Sequence, residues 1–258
     1  MGDPSLPGIV FLHGFLGNGN DWLPIARMLG KEYRSILVDL PGHGKSGIHK
    51  TADAERFFMQ TVDALACMVR KDAGGLCDLV GYSMGGRIAL ALVLRYPELF
   101  TRAVIVSSSP GLRTEEERRK RRQHDADLAA GLERDPNGFL ERWYRLPLFE
   151  TLTMHPAFPE ILEARRNNDP CGLAASLRLL GTGSQPSLWD ELAGNRLPIL
   201  FCAGEKDAKF VEIGRQMVNL CPGSTLEIFP GCGHTLHVEE RARFVERLAL
   251  FINKHQLS

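Results

Sequence analysis

Over residues 1–110, short apolar, β-branched runs alternate with longer stretches whose apolar positions recur at helical spacing. The runs at 8–12, 35–39, 76–80 and 103–106 predict strands, and the stretches at 21–29, 53–70 and 85–95 predict helices. Pro97 ends the last of these, because proline has no amide proton with which to continue a helix. The alternation predicts an α/β fold, a parallel sheet covered by helices, since parallel neighbours need crossovers that lie over the sheet faces. The pattern returns at 198–202 and 225–229, each followed by an amphipathic stretch, with a final helix expected at 239–253.

Between these blocks, residues 110–194 carry helical patterns and turn residues but no strand pattern. A helical lid inserted between two strands is expected there, within one domain spanning 1–258, a length that suffices for a single core. The dense charge run at 115–122 sets Glu115, Glu116 and Glu117 four residues ahead of Arg119, Lys120 and Arg121, a spacing that supports an exposed helix through ion pairs. The chain enters directly on the strand before His13, so the sheet edge is expected to be reduced.

Composition narrows the partners. Lys plus Arg and Asp plus Glu both number 31, so there is no broad positive field for nucleic acid or an acidic membrane, and a small-molecule partner is expected. With no basic-then-apolar leader and no apolar run of about 18 residues, a cytoplasmic location is expected and membrane spanning is not. The 6 cysteines form no C-x-x-C pair and are read as reduced, mostly buried thiols. Neither H-E-x-x-H nor a cysteine cluster occurs, so no metal is expected. Pro41-Gly42-His43-Gly44-Lys45-Ser46 resembles a phosphate loop only superficially, because Asp39 stands where that motif requires its first glycine.

The strongest chemical signal is Gly81-Tyr82-Ser83-Met84-Gly85, a G-x-S-x-G sequence directly after a predicted strand and before a predicted helix. A serine on so tight a turn is held at the sheet's carboxyl edge, and the helix behind it aims free N–H groups and a positive dipole end at any charge developing there. The Met84 amide is one oxyanion donor on this reading. A serine hydroxyl needs a histidine to take its proton, and that histidine needs a carboxylate to fix its tautomer. Asp207 and His234 each follow a predicted strand, in the chain order Ser, Asp, His; Glu205 and His237 are the nearby competitors for these roles. His13-Gly14-Phe15 follows the first strand, which makes the Phe15 amide the second oxyanion donor and His13 a residue that orients the loop.

Taken together, Phe11 through Gly17, Asp39 through Gly44, Gly81 through Arg87 and Gly231 through His234 resemble the α/β-hydrolase superfamily over nearly the whole chain. Within it, Pro110-Gly111-Leu112, Arg118 through Asp125, Trp143-Tyr144, Pro147-Leu148-Phe149, Arg165-Arg166-Asn167-Asn168, Gly183 through Trp189 and Gly204 through Phe210 are similar to the menaquinone-biosynthesis family of 2-succinyl-6-hydroxy-2,4-cyclohexadiene-1-carboxylate synthases. These are lyases that eliminate pyruvate from 2-succinyl-5-enolpyruvyl-6-hydroxy-3-cyclohexene-1-carboxylate. The resemblance implies a Ser83, Asp207, His234 triad, substrate carboxylates bound by Arg87, Arg121 and Arg165, and a pocket lined by Tyr82, Trp143 and Phe149. It also implies no cofactor. The doubled residues Arg118-Arg119, Arg121-Arg122 and Arg165-Arg166 leave the register of the lid contacts open by one position, and adjacent helical residues point about 100° apart. A serine hydrolase of an ester, thioester or carbon–carbon bond would use the same triad, and a non-catalytic ligand-binding member of the fold is the third reading. No pattern in the chain encodes an oligomeric state.

Overall fold

The computed structural model describes residues 1–3, 5–30, 32–48 and 53–253, so the tail 254–258 of the expected domain lies outside the described residues. Strands β1 (Gly8–Leu12), β2 (Arg34–Val38), β3 (Cys77–Tyr82), β4 (Phe100–Val106), β5 (Ile199–Gly204) and β6 (Ser224–Phe229) form one all-parallel sheet in the order β2-β1-β3-β4-β5-β6. Because helices cover both faces, the central strands are apolar on both sides. Val10, Leu12, Leu79, Ile105 and Phe201 enter one core cluster, while Ile9, Phe11, Val80, Val104 and Val106 enter the other. β4 starts at Phe100, earlier than its apolar run suggested. The reason is that Asp78 on β3 accepts from Thr101 and pairs with Arg102 at 3.7 Å, so polar residues sit in the strand with their needs met.

The helices of the sheet blocks are α1 (Leu23–Leu29), α2 (Ala54–Asp72) and α3 (Met84–Arg95). Between β4 and β5 come only helices, α4 (Glu115–Arg134), α5 (Pro136–Tyr144), α6 (Glu150–Thr153), α7 (Phe158–Arg166) and α8 (Pro170–Leu180), besides short 3-10 turns. The chain closes with α9 (Ala208–Leu220), α10 (Leu236–Glu239) and α11 (Arg241–Asn253). Two expected helices are thus broken: 21–29 opens with a 3-10 turn, Gly19–Trp22, and 239–253 is entered through α10. The inserted helices have a small core of their own, in which Leu132, Phe139, Leu152, Leu173 and Leu177 pack with Leu16 from the loop after β1.

The charge run at the start of α4 pairs differently from its sequence spacing. Glu117 is consumed by the helix start, where it accepts from the Thr114 amide at 2.9 Å in a capping box, so it does not meet Arg121. Glu115 pairs with Arg118 and Arg122, leaving Glu116 with Lys120, at 3.1 Å, as the expected i,i+4 pair that forms. All cysteines are free; Cys77, Cys202, Cys221 and Cys232 are buried, and Cys67 and Cys171 are exposed. Among the described residues no helix is long and apolar enough to cross a membrane, and no cluster of His, Cys, Asp or Glu could hold a metal ion.

Candidate active site

Ser83 stands between β3 and α3 with φ of 50°, a left-handed conformation in an L-residue that a tight strand-to-helix turn forces. The turn closes only because its flanks lack Cβ atoms. One at Gly81 would lie 2.5 Å from the Gly85 oxygen, and one at Gly85 would lie 2.4 Å from the Leu12 oxygen. The Gly85 amide donates to the His13 oxygen at 3.0 Å, tying the loop after β1 to the turn.

Three loops at the carboxyl ends of β3, β5 and β6 bring the sequence-predicted triad together. His234 Nε2 lies 3.1 Å from Ser83 Oγ, and His234 Nδ1 lies 2.7 Å from Asp207 Oδ2. Asp207 and His234 are 6% and 2% exposed, which shields this chain of bonds from competing water. Since Asp207 can only accept, it fixes the Nδ1–H tautomer and leaves Nε2 free to take the serine proton. Glu205 does different work, accepting at its exposed carboxylate from the Gly231 amide at 2.8 Å and holding the glycine turn ahead of His234. His237 is buried beneath the Tyr82 ring at 4.3 Å and the Trp22 ring at 4.8 Å, and burial pushes its pKa down to about 3.

His13 orients the adjacent loop. Its Nε2 accepts from the Leu40 amide at 3.0 Å, so the proton sits on Nδ1 and is donated to the Gly14 oxygen at 2.8 Å. Burial lowers its pKa to about 4, keeping the ring neutral as this pattern requires. Phe15 follows, and its amide bonds to none of the described residues. As first residue of α3, Met84 likewise has no intrahelical acceptor for its N–H. Phe15 and Met84 both line the same cavity as Ser83 and His234, a space of about 670 Å³ between the sheet's carboxyl edge and the inserted helices.

Tyr82, Arg87, Arg121, Trp143, Phe149 and Arg165 all line that cavity too. Trp143 meets the Phe15 ring edge-on at 5.2 Å, and Phe149 meets the His234 ring edge-on at 6.1 Å. Burial drives the Tyr82 hydroxyl pKa well above its usual value. The three arginines are already engaged. Arg87 donates to the Leu180 oxygen at 2.6 Å and to Gln185 Oε1 at 3.2 Å, and burial followed by repulsion from Arg121 lowers its pKa to about 10. Arg121 pairs with Asp125 at 2.7 Å, and Arg165 grips Asp21 through both Nη atoms at 2.8 and 2.6 Å. Of the three doubled pairs, two place a member at the cavity, Arg121 and Arg165, and the pair Arg118-Arg119 places none; Arg118, Arg119, Arg122 and Arg166 bond Glu115, Glu116, Glu115 and Glu163. Asp21, Asp125, Arg27, Lys209 and Arg241, to which the sequence assigned no site role, also line the cavity. Asp21 and Arg165 are 144 residues apart, and no local pattern marks such a pair.

Comparison with known proteins agrees with this architecture. Residues 7–241 match the alpha/beta hydrolase fold family. The 2-succinyl-6-hydroxy-2,4-cyclohexadiene-1-carboxylate synthase of Escherichia coli O1:K1 / APEC is 31% identical over 96% of this chain and 94% of that protein. The chain belongs to both families. The structure of MenH from S. aureus superposes with a TM-score of 0.90 at 33% identity, covering 97% of this chain and 94% of that one. Protein PHYLLO, chloroplastic, from Arabidopsis thaliana is 36% identical over 95% of this chain, which spans only 15% of that protein's length.

Proposed function

We propose that this member of the synthase family eliminates pyruvate from 2-succinyl-5-enolpyruvyl-6-hydroxy-3-cyclohexene-1-carboxylate, working in the cytoplasm and in menaquinone biosynthesis. The observation that carries the reading is the charge of the cavity above the triad. Among the described residues that line it, Arg27, Arg87, Arg121, Arg165, Lys209 and Arg241 outnumber the acids Asp21, Asp125 and Glu160, an excess of positive charge that matches a tricarboxylate. Arginine forks also suit carboxylates geometrically, because they donate two parallel hydrogen bonds.

In this reading Ser83 acts as a base. It takes the ring proton α to the succinyl carbonyl while His234 accepts the serine proton, and Asp207 stabilises the imidazolium that results. The oxygen of the enolate so formed receives hydrogen bonds from the Phe15 and Met84 amides. Collapse of the enolate through the ring breaks the carbon–oxygen bond to enolpyruvate, which leaves as pyruvate once protonated. The carbonyl is itself the electron sink, so the step calls on no cofactor. Tyr82, Trp143 and Phe149 form the apolar wall that excludes water from the enolate.

A lactate dehydrogenase coupled assay should register pyruvate when the substrate is added. Absence of pyruvate, combined with rapid aryl-ester turnover and an acylated Ser83, would instead establish the hydrolase reading, which the same triad supports.

A further inference from the structure

Among the described residues, the non-glycine residues with positive φ are Leu16 at 67°, Ser83 at 50° and Ser107 at 47°. Such conformations are strained and persist where the surrounding structure imposes them, often at functional sites. Leu16 follows the loop that presents the Phe15 amide, and Ser83 is the proposed base. Ser107, just past β4, has no role in the mechanism above.

Its surroundings suggest one. The Ser107 amide donates to the Cys202 oxygen at 2.8 Å, and the preceding Val106 oxygen accepts from the Ser83 amide at 2.9 Å. Ser107 is thereby fixed one residue from the backbone that carries Ser83. The neighbouring Ser108 hydroxyl is consumed, donating to the Ser83 oxygen at 2.9 Å. The Ser107 hydroxyl is not: the residue is 1% exposed and lines the cavity with Ser83 and His234, yet its Oγ has no partner among the described residues. A buried hydroxyl left without a bond is destabilising, and native proteins keep few of them.

We propose that Ser107 is a substrate-contacting residue whose hydroxyl donates a hydrogen bond to an oxygen of the polycarboxylate bound beside Ser83. The strained backbone holds it at that wall, and the missing partner is supplied by the ligand. This contact rests on the lyase reading above.

Glycine and alanine at this position separate hydroxyl from backbone. Ser107→Gly relieves the positive φ while deleting the hydroxyl, and Ser107→Ala deletes the hydroxyl alone. Both should lower kcat/KM for pyruvate release about 10- to 100-fold, the loss typical of one hydrogen bond to a charged group. The rate at which a carboxylate-free fluorophosphonate labels Ser83 should stay within about twofold in both, because Ser83 and His234 are untouched. If Ser107→Gly matches the wild type in kcat/KM, or if labelling slows in step with turnover, Ser107 merely buttresses the Ser83 turn and the contact is wrong. If the wild type releases no pyruvate at all, the lyase reading fails and takes this contact with it.

Discussion

The two walls of the cavity are built on opposite plans. On the sheet side, Ser83, His234 and Asp207 come from loops at the carboxyl ends of β3, β6 and β5 and are already joined at 3.1 and 2.7 Å, with no competing side-chain partners among the described residues. On the helical side, Arg121 and Arg165 point into the same cavity but are held by Asp125 and Asp21, and Arg87 is held by carbonyl oxygens. The chemistry is thus preorganised, whereas recognition of an anion requires it to share or displace bonds the protein already makes. Buried cations without such partners would be costly in the empty site, which gives the pairing a physical reason.

The largest effects should come from the sheet side. Ser83→Ala is expected to lower kcat by at least about a thousandfold with an unchanged fold, measured by pyruvate release and circular dichroism, and adding His234→Ala should cost little more because the two act as a unit. Asp207→Asn should cost about 10³- to 10⁴-fold through the wrong histidine tautomer, whereas Glu205→Gln, two residues away, should stay within about twofold. Equal losses in these two would break the assignment of the acid.

Next in size is the helical side. Arg165→Ala should raise KM about 10- to 100-fold with a smaller change in kcat, and should lower stability by about 1–3 kcal/mol by stranding Asp21. Adding Asp21→Asn should restore much of that stability in chemical denaturation but leave KM high. Recovery of KM as well would show that Arg165 serves only the fold.

A third difference lies in proton uptake. Burial first, with lesser charge effects, holds His13 at about 4 and His43 and His237 at about 3, against 6.5 in the unfolded chain. These histidines stay neutral in the folded state while the unfolded chain takes up protons, so stability is full above pH 6.5 and falls as the pH drops towards 4. His237→Phe removes one such proton and should flatten the slope of unfolding free energy between about pH 6 and 4.5 by about 1.4 kcal/mol per pH unit. Unchanged slopes in urea titrations would mean that His237 titrates normally. The smallest effects belong to Arg119→Ala and Arg166→Ala, exposed partners of Glu116 and Glu163, which should move stability by less than about 0.5 kcal/mol and KM by less than about twofold.

Much of this was legible in the chain because the signals are local. A strand, a glycine turn and a helix lie within a few residues of one another at Gly81 to Met84, and the order of strands and helices follows from periodicity that neighbouring residues share. The start of β4 was not legible, since Thr101 and Arg102 enter a strand only where Asp78 on another strand satisfies them. Nor were the partners in α4, because the Thr114 capping box claimed Glu117 before Arg121 could.

The sequence by itself determined an α/β order interrupted by helices, and named a serine, an aspartate and a histidine in the order their loops come together. Only the tertiary structure decided that Arg121 and Arg165 rather than their neighbours line the cavity, and that Asp21 holds Arg165 across 144 residues. The physical reason is one of range. Periodicity and turn chemistry act between residues close in the chain, while the choice of a partner among several like charges is made by burial and distance in three dimensions.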